Sequence, residues 1–148
     1  MNQEIKNLFN SLNKLCEENE AFYFAEQEYK EKYIIRSFTY RLASYEDFKL
    51  PFAKELRGTA FIKNKKTGEW NLFCRAYGKF FNLGEGIPTL SYIEKYKPEE
   101  VYEKLDGSLI LVGKVKNKLI AKSKPSINST QAKMAQEMID KSKDLTKF

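Results

Sequence analysis

The chain of 148 residues contains no histidine. That absence excludes Ser-His-Asp and Cys-His nucleophile systems, imidazole proton shuttles and histidine-ligated metals. Cysteine is almost as scarce. Cys16 and Cys74 stand alone, outside any CxxC spacing, so neither a zinc site nor a disulfide framework is indicated. Two unpaired thiols suit a reducing compartment, and the expected location is cytoplasmic. The opening MNQEIKNLFN lacks the apolar run of a signal peptide. No stretch reaches the roughly 18 apolar residues of a membrane span, so no membrane partner is expected. Any nucleophile or general base must come from Lys, Asp, Glu, Tyr, Ser or Cys, and any phosphate ligand from Lys or Arg.

What the chain does have is aromatic and basic. Hydrophobic residues make up 42%, which is enough for one compact domain with a core. Eleven Phe and nine Tyr favour strands. The formal net charge of +6 fits a polyanionic partner such as RNA, DNA or a nucleotide, and fits simple solubility equally well.

Hydrophobic spacing orders the elements. Ile5, Leu8, Phe9, Leu12, Leu15 and Cys16 recur on one face and predict a helix over 2–18. Segments 21–29 and 32–42 read as two strands around a turn at Lys30-Glu31. Residues 43–56 read as irregular, punctuated by Pro51. A hairpin is expected from 58–64 and 69–76 across KKTG, followed by a glycine-rich loop over 77–88. A short helix over 89–97, strands at 100–104 and 108–115 around Asp106-Gly107, and a strand at 118–124 come next. Asn128 or Ser129 caps a last helix, TQAKMAQEMIDKSK, with Ala132, Met134, Ala135, Met138 and Ile139 inward. The basic end KSKDLTK reads as its fraying last turn. The fold class is α+β, a mostly antiparallel sheet with flanking helices, as a single domain over 1–148.

The segment VYEKLDGSLILV (101–112) raises the chemical question. Lys104 stands two residues before Asp106-Gly107. It reads either as a surface charge beside a hairpin turn or as a nucleophile. A nucleophilic amine must lose its proton, and bringing a lysine from about 10.4 to about 7.5 takes about 4 kcal/mol. One like charge ~6 Å away at an effective dielectric of ~20 supplies about 2.8 kcal/mol, and partial burial can supply the rest. Arg57, Lys79 and Lys124 are the candidate neighbours, because each lies at a strand end or in a loop. Leu105, Leu109, Phe80 and Phe81 are the candidate apolar walls.

Five blocks, taken in order, resemble one known family. They are YRLASYEDFKLP (40–51), ELRGTAF (55–61), RAYGKFFNLGE (75–85), EKLDGSL (103–109) and KSKPSINSTQAKMA (122–135). Together they are similar to the N-terminal part of the T-even phage type of RNA ligase 1, an ATP-dependent tRNA-repair ligase among the lysine nucleotidyltransferases. The likeness covers roughly residues 20 to 140, with Pro125 where that family has glycine. The resemblance implies that Lys104 attacks the α-phosphate of ATP and holds AMP as a phosphoramidate. It implies that Asp106 and Gly107 shape the turn, with Asp106 near the ribose. Tyr40 would contact the nucleotide, and Arg57, Lys79 and Lys124 would bind its phosphates. AMP would pass to an RNA 5′-phosphate, and a 3′-hydroxyl would then close the strand. ATP and magnesium are the implied cofactors, and RNA ends, tRNA among them, the implied substrate. A phage-infected bacterium is one implied setting.

The family's later motifs, a Phe-Glu-Phe type strand, a Glu-Gly motif and a closing Lys-x-Lys, have no counterpart before Phe148. A second KSK at 141–143 falls in the predicted helix. The expectation is therefore the N-terminal part of an adenylyltransferase domain, with no metal ligand assigned. A second chain completing the domain, or self-association, would cover the sheet edge and apolar surface such a part exposes. The rival expectation is a non-catalytic module that binds nucleotide or RNA.

Overall fold

The structure, a computed structural model, describes residues 1–86 and 88–142. It is α+β, as expected. Helix α1 (Gln3–Glu18) is followed by a four-stranded antiparallel meander, β1 (Phe22–Tyr29), β2 (Tyr33–Tyr40), β3 (Ala60–Asn64) and β4 (Trp70–Cys74). A short helix α2 (Leu90–Ile93) precedes a second, two-stranded sheet of β5 (Leu111–Val115) and β6 (Lys118–Lys122). Helix α3 (Thr130–Lys141) comes last.

Local signals account for the helices. The Asn2 side chain accepts from the Ile5 N–H and starts α1, and Ser129 accepts from the Ala132 N–H and starts α3. The apolar stripe of α1 sets Leu8 and Leu12 against Phe22, Phe38, Phe48, Ala53, Leu56 and Phe61 on one face of the meander. The opposite face carries Ile35, Ala60, Phe73 and Cys74, which meet Leu111, Val115 and Ile120 of the small sheet. Central strand β2 is therefore covered on both faces, and even its polar Ser37 and Thr39 are buried.

The two sheets come close because glycine permits it. A Cβ on Gly113 would lie 2.4 Å from the Phe73 ring, so β5 crosses β4 where a side chain is missing. Helix α3 is laced to β6 by Gln136. Its Oε1 accepts from the Ala121 N–H at 2.8 Å, and its Nε2 donates to the Leu119 carbonyl at 3.1 Å.

Four sequence expectations are corrected. Residues 43–56 are not irregular: 3-10 turns form at Asp47–Lys49 and Ala53–Leu56. Asp47 organises the first, accepting from the Ser44 N–H and hydroxyl and from the Asn19 amide, while Phe48 is buried. No strand forms at 100–104, and the following strand begins only at Leu111. Asp106-Gly107 is therefore not the turn of a hairpin; Val101 and Tyr102 find no neighbouring strand and stay exposed. Met134 and Met138 face solvent, because α3 meets β6 along a stripe narrow enough to be filled by Ala132 and Ile139. The expected continuation of the last helix to residue 143, and the basic KSKDLTK end from 143 onward, lie outside the described residues. Among the described residues no helix is long and apolar enough to cross a membrane.

Candidate functional site

Four elements deliver side chains to one open cleft of about 510 Å³. Tyr40 ends β2, and Arg57 follows the second 3-10 turn just before β3. Lys79 lies in the loop after β4, and Lys124 follows β6. Gly107, Ser108 and Leu109 enter from the segment before β5; Ser123, Pro125, Ser129 and Gln131 complete the lining. The loops are tied to the frame at this point. The Lys79 N–H donates to the Lys54 carbonyl at 2.8 Å, and the Arg75 guanidinium forks onto Glu55 at 3.0 and 2.6 Å.

Each of the three cations sits over an aromatic ring. The Arg57 guanidinium is 4.8 Å from the Phe80 centroid, Lys79 Nζ 4.6 Å from that of Phe81, and Lys124 Nζ 4.9 Å from that of Tyr40. Two of those rings, Tyr40 and Phe81, are joined through Phe48, at 4.9 and 5.6 Å. Among the described residues, none of the three cations has a carboxylate within ion-pair distance.

The charges act on one another. Lys79 is held below the ordinary lysine range, first by partial burial and then by the positive charge of Arg57; Glu85 pulls the other way, and Lys124 adds a smaller push in the same sense as Arg57. Burial raises the Tyr40 hydroxyl, and Arg57 partly offsets it. Three cations on aromatic rings, with no carboxylate in ion-pair contact among the described residues, make a site suited to an anion of several charges.

Of the residues expected from sequence, Tyr40, Arg57, Lys79, Gly107 and Lys124 line this cleft. Lys104 does not. It lines an adjoining hollow of about 840 Å³ with Tyr77, Gly78, Phe80, Tyr102 and Glu103, and its side chain is exposed. Phe80 lines that hollow, and its ring lies 4.8 Å from the guanidinium of Arg57, which lines the cleft. Asp106 is exposed and outside the lining of both. Of the expected apolar walls, Leu109 lines the cleft and Phe81 seats Lys79, whereas Leu105 is 77% exposed.

Sequence reading missed Ser123, Ser129 and Gln131 as lining residues. Ser129 was visible only as a helix cap, because its capping role and its place on the cleft are independent facts. It also missed Lys122. This lysine is fully buried, and burial pushes its ammonium down to about 8. In the sequence it is one of 26 basic residues and carries no mark.

The cleft lining contains no carboxylate, and the described residues hold no cluster of three His, Cys, Asp or Glu. A hard divalent cation needs several oxygen ligands. Among the described residues the cleft side chains offer magnesium no carboxylate, so a magnesium ion here would rest on the phosphates of a bound nucleotide and on water.

Comparison with known proteins shows the family. The profile of a family described as RNA ligase matches residues 55–147, and so covers the segments bearing Arg57, Lys79, Lys104 and Lys124. A protein of Thermovibrio ammonificans named "Putative RNA ligase" is 30% identical over 109 residues. The match takes in 74% of this chain and 28% of that relative, so the chain corresponds to a minor part of the longer protein. With most of its length matched by the family profile, the chain belongs to the RNA ligase family.

Proposed function

We propose that the cleft binds the triphosphate of ATP and that Lys104 becomes the site of covalent AMP attachment, in a chain that forms the N-terminal part of an adenylyltransferase domain. The observation that carries this reading is the gathering of Arg57, Lys79 and Lys124 around one cleft, with no carboxylate in ion-pair contact with them among the described residues. A triphosphate is an anion that such a set of cations can bind. Tyr40 bounds the cleft, and Gly107, φ +150°, admits a backbone course that suits glycine.

Lys104 lies three residues from Gly107, a span of at most ~11 Å along the chain. Segment 97–110 has no strand partner to hold it away, so it can carry the amine to a nucleotide seated in the cleft. In the proposed step the neutral amine attacks the α-phosphorus. The N–P bond forms, the bond from the α-phosphorus to the bridging oxygen breaks, and pyrophosphate leaves with that electron pair. The ammonium's released proton goes to solvent. The cations would stabilise charge growing on the departing pyrophosphate. An RNA 5′-phosphate oxygen then displaces the lysine from phosphorus, and a 3′-hydroxyl later displaces AMP to join the strand. RNA ends would be the substrate, and a second chain or second copy would complete the domain for the later steps.

The placement of Lys104 outside the cleft favours a second reading, a nucleotide-binding module without turnover. One experiment separates them. The chain is incubated with α-labelled ATP and magnesium, denatured, and examined for bound label. Label that disappears in Lys104→Ala supports the enzyme. ATP binding without label, in the presence of the rest of a ligase chain supplied in trans, overturns it in favour of the module.

A further inference from the structure

Beneath the cleft lies a charge that the proposed chemistry does not use. Lys122 is 0% exposed, on the last position of β6. Its Nζ donates to the Gly58 carbonyl at 2.9 Å and to the Lys124 carbonyl at 2.8 Å. Among the described residues no carboxylate accompanies it. A buried, unpaired ammonium is costly to keep, and an apolar side chain of equal length would fill the space.

The two acceptors identify what the ammonium holds. Gly58 follows Arg57 directly, and its N–H donates to the Phe38 carbonyl at 3.0 Å on β2. Gly58 has φ +100°, and a Cβ there would be 3.2 Å from the Lys124 Cα. The backbones that carry Arg57 and Lys124 therefore touch, although they belong to different sheets. The strands of the two sheets share no ladder hydrogen bonds. The Lys122 ammonium bridges the contact from below, one N–H to each side.

We propose that Lys122 is a positioning residue, whose ammonium clamps the Gly58 and Lys124 carbonyls and so holds the Arg57 and Lys124 side chains at the spacing that receives a polyphosphate. The inference rests on the reading of the cleft as a triphosphate site. Three N–H donors on one tetrahedral nitrogen are what joining two carbonyls from different directions requires. An apolar residue would fill the same volume and leave both carbonyls without a partner.

The test is a set of binding measurements with ATP and with inorganic tripolyphosphate, on chains shown to be folded by their thermal unfolding. In Lys122→Met the affinity for both anions falls at least tenfold. A residue that acts through Arg57 and Lys124 gives non-additive effects with them. The same change thus costs under threefold in an Arg57→Ala or a Lys124→Ala background, and its full tenfold in a Lys79→Ala background. A folded Lys122→Met chain that binds within twofold of the parent overturns the clamp, as does an equal cost in all three backgrounds. Should Lys122→Met not fold, Lys122→Leu, which likewise cannot donate to either carbonyl, carries the same measurements. If neither folds, Lys122 serves folding alone and the proposal is overturned. If the parent chain binds neither anion, the triphosphate reading falls and takes the clamp with it, an outcome distinct from parent binding with an unaffected variant.

Discussion

The Lys124 ammonium lies 4.9 Å from the centre of the Tyr40 ring. One residue follows β6 of the small sheet and the other ends β2 of the large one, so this pair closes the cleft across the junction of the two sheets. The ring face, not the hydroxyl, meets the charge. Tyr40→Phe is therefore expected to keep ATP affinity within about twofold. Tyr40→Ala loses a cation–π contact worth roughly 0.5–2 kcal/mol and lowers affinity about two- to thirtyfold. Isothermal titration of the two variants checks the difference, and equal losses in both would assign the role to the hydroxyl.

Lys79 owes its lowered proton affinity first to burial and then to Arg57, with a smaller contribution from Lys124 and Glu85 opposing. Bound triphosphate reverses that environment. Lys79→Met removes one charge-assisted contact and is expected to weaken ATP about tenfold, in line with the ~1.5–3 kcal/mol such contacts carry. Affinity of the parent should also fall as salt is raised, and fall less steeply in the variant. Titrations at two ionic strengths decide this; an unchanged salt dependence would remove Lys79 from the phosphate site.

Gly113 is where β5 passes the Phe73 ring. Gly113→Ala puts a methyl group 2.4 Å from that ring, and the required shift costs about 1–3 kcal/mol. Val112, the next residue, is exposed, and Val112→Ala should stay within about 0.5 kcal/mol. Urea unfolding of the two variants is the measurement, with similar midpoints as the contrary result.

Cys74 is buried beside Lys122, and burial pushes its thiol from 9.0 up to about 11. Between those values the unfolded chain has lost the proton that the folded chain retains, so this group makes stability fall as pH rises from 9 to 11. Lys122 acts in the opposite sense. Its ammonium is depressed from 10.5 to about 8, the unfolded chain binds the extra proton between those values, and stability rises over that range. The two slopes offset each other from pH 9 to 10.5. Cys74→Ala removes the falling part, together with the smaller upward pull of Cys74 on the Lys122 ammonium. Its stability relative to the parent should improve by up to about 2.7 kcal/mol between pH 9 and 11. Denaturant unfolding at pH 8, 9 and 10.5 follows this difference, and a constant difference would contradict the burial of the thiol.

Much of the frame was legible along the chain. The stripe from Ile5 to Cys16 defined α1, and the KKTG hairpin defined β3 and β4. Both are local patterns, in which residues close in sequence decide the outcome. The Asp106-Gly107 turn misled because a hairpin needs two strands with partners, and residues 100–104 have none. Met134 and Met138 misled because the width of the buried stripe on α3 depends on β6, not on α3 itself.

The sequence by itself determined the chemistry available to this protein. Without histidine, and with lysine and arginine beside the strand ends, any phosphate site had to be built from the cations that the five ordered blocks single out. Only the tertiary structure decided which of them meet. Arg57, Lys79 and Lys124 converge, Lys104 stands in the adjoining hollow, and Lys122 is sealed beneath. The reason is that convergence is set by two sheets crossing at Gly58 and Gly113. A close approach between backbones 66 residues apart, as at 58 and 124, leaves no periodicity in a chain for a reader to find.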